Sequence, residues 1–174
     1  RTAISPGALT QGKVLNIPIS YFRAGHMMRI TAGGVIGTAN AENSINLAPI
    51  YCTAAQTAAE GKFLFVEAQT LVKLAEGTGA TARKKFGWKY ESLSRCVVGG
   101  SAAKFISSAT LVIADSATKF GASFAFPTAE STALGEGEAW DNSLEGKIAF
   151  GWKWTTSSAE DFVQQTIWTV EILN

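Results

Sequence analysis

Lys147-Ile148-Ala149-Phe150-Gly151-Trp152-Lys153-Trp154 is the stretch from which the fold class can be read. Its large apolar residues fall on every second position, with Lys147, Ala149, Gly151 and Lys153 between them. Side chains alternate across a β-strand with a period of two, so Ile148, Phe150, Trp152 and Trp154 share one face. Four such groups in a row are too costly to leave in water, and that face is expected in a core.

The same period recurs on both sides of this stretch. Phe120, Ala122, Phe124 and Phe126 alternate with Lys119, Gly121, Ser123 and Ala125 within Thr118 to Phe126. Phe86, Trp88 and Tyr90 alternate with Gly87, Lys89 and Glu91, and Trp168, Val170 and Ile172 with Ile167, Thr169 and Glu171. Further strands are expected over Val14 to Ile19, Met28 to Ala32, Val35 to Thr38, Ile45 to Tyr51, Phe63 to Val66 and Ala103 to Ile113. Turn-forming residues mark loops at Ala24-Gly25, Gly33-Gly34, Ala39 to Asn43, Glu76 to Lys85, Gly99-Gly100 and Thr128 to Gly146. Helix is expected only at the short, Ala-rich Ala54 to Glu60. The chain therefore reads as all-β, with about nine or ten strands in an antiparallel β-sandwich of jelly-roll type, because one open sheet of that width would leave a face or its edges unprotected. A single domain over residues 13 to 174 is expected, preceded by an extended N-terminal arm over residues 1 to 12. No repeat of fixed period divides it.

Composition narrows the function. Apolar residues are 47% and charged residues 17% of the 174, enough to bury a sizeable core. A net charge of +1 supplies none of the basic field on which nucleic-acid binding rests, so no nucleic-acid partner is expected. No apolar run approaches the roughly 18 residues of a membrane helix, and residues 1 to 25 lack a basic start followed by an apolar stretch, so neither membrane insertion nor export is expected. Cys52 and Cys96 are too few for a disulfide scaffold or a zinc site and are expected as buried thiols, with one disulfide as the alternative.

The residues also argue against catalysis. His26 is the single histidine, set where a turn enters a strand, and no serine lies in a Gly-x-Ser-x-Gly elbow. Glu136, Glu138, Asp141 and Glu145 crowd a long loop near Trp140. Two carboxylates suffice for glycoside hydrolysis, but an acidic Gly-rich loop is more often a solvated surface, and its spacing fits no regular calcium loop. Gly77-Thr78-Gly79 lacks the Lys-Ser/Thr partner of a phosphate loop. No catalytic residue, cofactor or metal is expected. Arg83-Lys84-Lys85 is the densest positive charge and a candidate contact to an acidic protein surface. Trp140 and Asp141 form a candidate exposed loop contact, since the other tryptophans fall in phase with core positions.

Three segments together resemble a family of small structural proteins of tailed bacteriophages, known variously as head decoration, minor capsid or head-fibre proteins. The first is Ile19-Ser20-Tyr21-Phe22-Arg23-Ala24-Gly25-His26-Met27-Met28-Arg29-Ile30-Thr31-Ala32-Gly33-Gly34, similar to an opening in which an aromatic and an Ala-Gly turn lead into a strand. The second is Phe86 to Gly100, similar to a central strand that runs into a Gly-rich turn. The third is Gly146 to Asn174, similar to a closing hairpin that ends Thr169-Val170-Glu171-Ile172-Leu173-Asn174. The chain departs from the family's pattern at Asn40 to Asn43 and in the acidic loop Thr128 to Gly146.

The resemblance implies a virion protein made in the host cytoplasm and placed on the outer surface of the phage head. It implies self-association as a homotrimer and the major capsid protein as partner, the contact acting as cement. A tail-tip or fibre receptor-binding module on the same fold is the alternative. Residues Arg1 to Gly12, lying as an arm on a neighbour, and Arg83 to Lys85 are the contacts expected on this reading.

Overall fold

A computed structural model of the chain describes residues 10–38, 43–53, 62–63, 71–74, 84–101, 103–116, 119–131, 141, 143–156 and 161–173. The strands are β1 (Thr10–Ile17), β2 (Met27–Thr38), β3 (Asn43–Thr53), β4 (Lys62–Phe63), β5 (Leu71–Leu74), β6 (Lys84–Val98), β7 (Lys104–Ser116), β8 (Lys119–Ser131), β9 (Gly146–Trp154) and β10 (Phe162–Leu173). No helix occurs among the described residues, and the Ala54 to Glu60 segment lies outside them.

Two antiparallel sheets pack as a sandwich. In the first, β9 lies between β1 and β3, and β4 and β5 both pair with the far side of β3. The second runs β10-β2-β6-β7-β8. The chain changes sheet between β1 and β2, β2 and β3, β5 and β6, β8 and β9, and β9 and β10, so the layers are interlocked by the backbone.

The alternation read from the sequence sets the core. Ile148, Phe150, Trp152 and Trp154 of β9 are buried opposite Tyr51, Pro49, Leu47 and Ile45 of β3. Across the gap, Met28, Ile30, Ala32 and Ile36 of β2 and Phe86, Trp88 and Tyr90 of β6 close the other wall. Phe150 joins the two walls: its ring stacks on Trp88 at 4.9 Å and meets Tyr90 edge-on at 5.0 Å and Trp168 at 6.4 Å. The indole N–H groups of Trp88, Trp152 and Trp154 are buried without a hydrogen-bond partner. Each such group costs on the order of 1–3 kcal/mol, which the apolar area of the same side chains outweighs.

The strands differ from the sequence reading in several places. Gly33-Gly34, expected as a loop, lies inside an unbroken β2, where a Cβ at Gly33 would stand 3.1 Å from the Trp88 carbonyl oxygen and one at Gly34 would collide with the Gln164 carbonyl. Glycine serves there for close backbone approach, not for a turn. Lys84 and Lys85, expected in a loop, open β6 by pairing with Thr38 and Gly37. Residues 128–131, expected in the acidic loop, extend β8. Thr10 to Gly12, expected with the arm, begin β1, which ends at Ile17 because Pro18 has no N–H to donate. β3 is buried on both faces from Ile45 to Cys52, and β9 also buries Ala149 and Gly151, where alternation predicted one buried face. The true turns carry Gly25 and Gly100, both at φ 96°, where a side chain is strained.

Replacing Phe150 by Ala removes the group that touches both sheets, and a large-to-small change at such a site costs about 3–5 kcal/mol. The expected outcome is an unfolding free energy lower by that amount, seen as a lower urea midpoint with an unchanged m-value in tryptophan fluorescence.

Candidate functional site

The sandwich has two ends, fixed by the connections. Residues 39–42 join the end of β2 to the start of β3, so Thr38, Asn43, Trp154, Phe162 and Lys84 lie at one end. Ile17, Thr53, Gly146, Met27, Val98 and Leu173 lie at the other.

At this second end the β1–β2, β6–β7 and β8–β9 connections are held by specific bonds. In the β1–β2 loop, Phe22 is buried and the Tyr21 ring packs edge-on against it at 5.7 Å. The loop is tied to the end of β6 by a reciprocal pair: Gly25 N–H donates to the Cys96 carbonyl and Cys96 N–H to the His26 carbonyl, each at 2.8 Å. The His26 ring, through Nδ1–H, donates to the Tyr21 carbonyl at 3.2 Å, so the one histidine braces its own loop. The first two segments of the sequence resemblance therefore meet here in space. The third connection precedes β9: the Tyr51 hydroxyl donates to the Asp141 carbonyl at 3.0 Å, and Asp141 Oδ1 accepts from the Ser143 N–H at 2.9 Å and from the Ser143 hydroxyl. Asp141 thus ties a turn by an Asx-type bond.

Held in this frame are five large apolar side chains that face water: Ile19 (58% exposed), Tyr21 (43%), Val97 (37%), Val98 (44%) and Leu144 (51%). Fixed loops with exposed apolar groups at the end of a rigid sandwich are an ordinary arrangement for a contact surface. The sequence reading passed over all five. Their signal is a break in alternation: Val97 and Val98 are consecutive apolar residues before Gly99-Gly100, and Ile19 follows the strand-ending Pro18.

The residues picked from the sequence do not come together. Arg1, Arg83 and Trp140 lie outside the described residues. Lys84 and Lys85 start β6, at the opposite end from Asp141, and about 36 Å of strand separates Lys85 from Cys96 at roughly 3.3 Å per residue. Lys85 is exposed, on the side of the sheet away from the core. Cys52 and Cys96 are buried thiols, one in each sheet, with no disulfide. Cys96 donates to the Val98 carbonyl at 3.3 Å, and burial pushes its thiol pKa up, which keeps it protonated and unreactive.

The outer face of the second sheet is polar, and part of its charge is paired. Arg29 pairs with Glu171 at 3.3 Å and Lys89 with Glu91 at 3.7 Å, both in water and worth little. A shallow hollow of about 360 Å³ lies there between Arg29, Glu91, Leu93, Ser108 and Thr110. Among the described residues no group of three or more His, Cys, Asp or Glu side chains is placed to hold a metal. Compared with known protein families, curated proteins and solved structures, the chain matches none.

Burial, then the nearby Asp141 carboxylate and Cys52, push the Tyr51 phenol up to about 12. An unfolded tyrosine ionises near 10. Below about pH 10 both states keep the proton and the link is silent; between about 10 and 12 the unfolded chain loses it first, so stability falls as pH rises. Denaturation at pH 9 and pH 11 is expected to show this fall, and Tyr51→Phe to make it shallower.

Proposed function

We propose that this chain is a capsid decoration protein of a tailed bacteriophage, a jelly-roll sandwich that binds the major capsid protein on the outer surface of the head as a cyclic trimer. The interleaving of β9 between β1 and β3 and the repeated crossing between sheets support the jelly-roll description, with the β6-β7-β8 meander as an addition to it. It works by binding and has no catalytic, cofactor or metal chemistry of its own. It is made in the host cytoplasm and resides on the virion.

The observation that carries this reading is the apolar end formed by Ile19, Tyr21, Val97, Val98 and Leu144. Such a surface gains from burial against another protein, and the bonds that brace its loops lower the entropy lost on docking. A protein that binds only the assembled shell stabilises it by mass action and opposes its expansion and rupture. Lys84 and Lys85, at the other end, face away from the shell in this arrangement.

The second reading, a tail-tip or fibre receptor-binding module, is favoured by the same loops, because loop-borne groups at the end of a sandwich also suit recognition of a host surface.

Co-sedimentation with undecorated capsids tests the proposal. The chain is expected to pellet with capsids, Val98→Asp to weaken binding at least about tenfold by placing a charge in a desolvated contact, and Lys85→Glu to leave binding unchanged. Loss with Lys85→Glu alone moves the contact to the basic end. Failure of the wild-type chain to pellet, together with binding to arrayed glycans, establishes the receptor reading instead.

A further inference from the structure

Two cations on the outer face of the second sheet are matched by carboxylates from the same face: Arg29 by Glu171 of β10 and Lys89 by Glu91 of β6. Arg23 and Arg95 are not. Both are exposed, and neither forms an ion pair among the described residues. They lie at the end of the sandwich that carries Tyr21, Val97 and Val98. Lys85, at the opposite end, is unpaired as well, but among the described residues no large apolar side chain is exposed at that end.

Pairing and burial fix where the two arginines stand. Arg95 and Val97 are two residues apart on β6 with the buried Cys96 between them, so both leave the sheet on its outer side. The ladder neighbours of Arg95 are Met27 on β2 and Ile106 on β7, and neither residue type can pair with a guanidinium. Arg23 opens the turn that closes on His26, its carbonyl accepting the His26 N–H at 3.0 Å, and Gly25 ties the same turn to Cys96. The two arginines therefore belong to one braced corner. On the other layer Glu145, which follows Leu144 and precedes β9, is exposed and also without an ion pair among the described residues, whereas the Asp141 carboxylate is taken up by Ser143.

We propose that the surface on which this end docks is acidic where it meets the second sheet, an apolar patch flanked by carboxylates that Arg23 and Arg95 bind. The inference rests on the apolar end being the docking surface, and it adds the chemistry of the partner. Arginine suits the task, because its guanidinium is weakly hydrated and takes a carboxylate through two parallel N–H···O bonds. Exclusion of water by Tyr21, Val97 and Val98 lowers the local dielectric constant and strengthens those bonds. Glu145 repels the same carboxylates, so the charges select the side of the end on which they sit.

Binding to undecorated capsids at 0.1 M and 1 M NaCl, where the screening length falls from about 10 Å to about 3 Å, tests the proposal. Three variants are compared with the wild type: Arg23→Gln with Arg95→Gln together, Lys85→Gln, which removes a charge at the opposite end, and Glu145→Gln. All four residues are exposed, and circular dichroism checks that the fold is kept. At 0.1 M the double variant is expected to bind roughly tenfold more weakly than the wild type, with Lys85→Gln unchanged and Glu145→Gln no weaker; at 1 M the deficit of the double variant is expected to vanish. A wild-type chain that pellets with capsids while the double variant and Lys85→Gln bind equally well overturns the proposal and leaves the capsid reading standing. A wild-type chain that pellets at neither salt concentration overturns both.

Discussion

Phe150 touches aromatic groups on two strands of the facing sheet, Trp88 and Tyr90 on β6 and Trp168 on β10. It stands on β9, which also holds β1 to β3 through the backbone ladder. Packing between layers and pairing within a layer therefore converge on one strand. Aromatic pairs of this geometry add about 0.5–1.5 kcal/mol each beyond their buried area, so the cluster offsets part of the cost of the indole N–H groups buried in the core. The same dependence explains why Gly151 faces Ile50 with no room for a Cβ: β9 is gripped from both sides as well as both edges.

The two layers are unequal, and this inequality sorts the surface. The first sheet is sealed at β3 and β9, where even Asn46 is buried. The second keeps one face wet, with Arg29, Lys89, Glu91 and Glu171 paired in water. Such a polar face gains little from losing its water. Among the described residues the large exposed apolar side chains fall in two regions, the braced end around Tyr21 and Val98 and the flank of β1 and β10, and in these regions desolvation yields a gain.

Much of this fold could be read from residue spacing. β9, β6 and the latter half of β10 announce themselves because large apolar groups alternate with small or charged ones, and burial follows the same phase. β5 escaped because Leu71-Val72-Lys73-Leu74 is too short to show a period. The passage of β2 through Gly33-Gly34 escaped because glycine signals a turn and a close approach with the same letter, and only the neighbouring strand distinguishes them. Burial of both faces of β3 depends on tertiary cover, which no local pattern encodes. The site was less legible than the fold. Charge drew attention to Arg83-Lys84-Lys85 and to Asp141, yet Asp141 ties a turn and the lysines belong to a strand. Exposed apolar residues are visible only against a completed core, because a sequence does not say which of its valines find cover.

The pairing of the first strands with the last has a consequence for how the chain comes into being. Thr10 pairs with Trp152, and Met27 with Leu173, so both ladders close loops of well over a hundred residues. On a ribosome, β1 emerges long before β9 exists to receive it, and β3 waits for the same strand. The second sheet from β2 to β8, and the pairing of β4 and β5 with β3, can assemble in order of synthesis. Contacts of such long range are slow to form because the entropy of closure is spent before they return anything. The aromatic inner wall of β6 consequently stays uncovered until the final strands leave the exit tunnel. A shortened transcript or a stalled ribosome would leave it with an open half-sandwich, a substrate for chaperones and proteases.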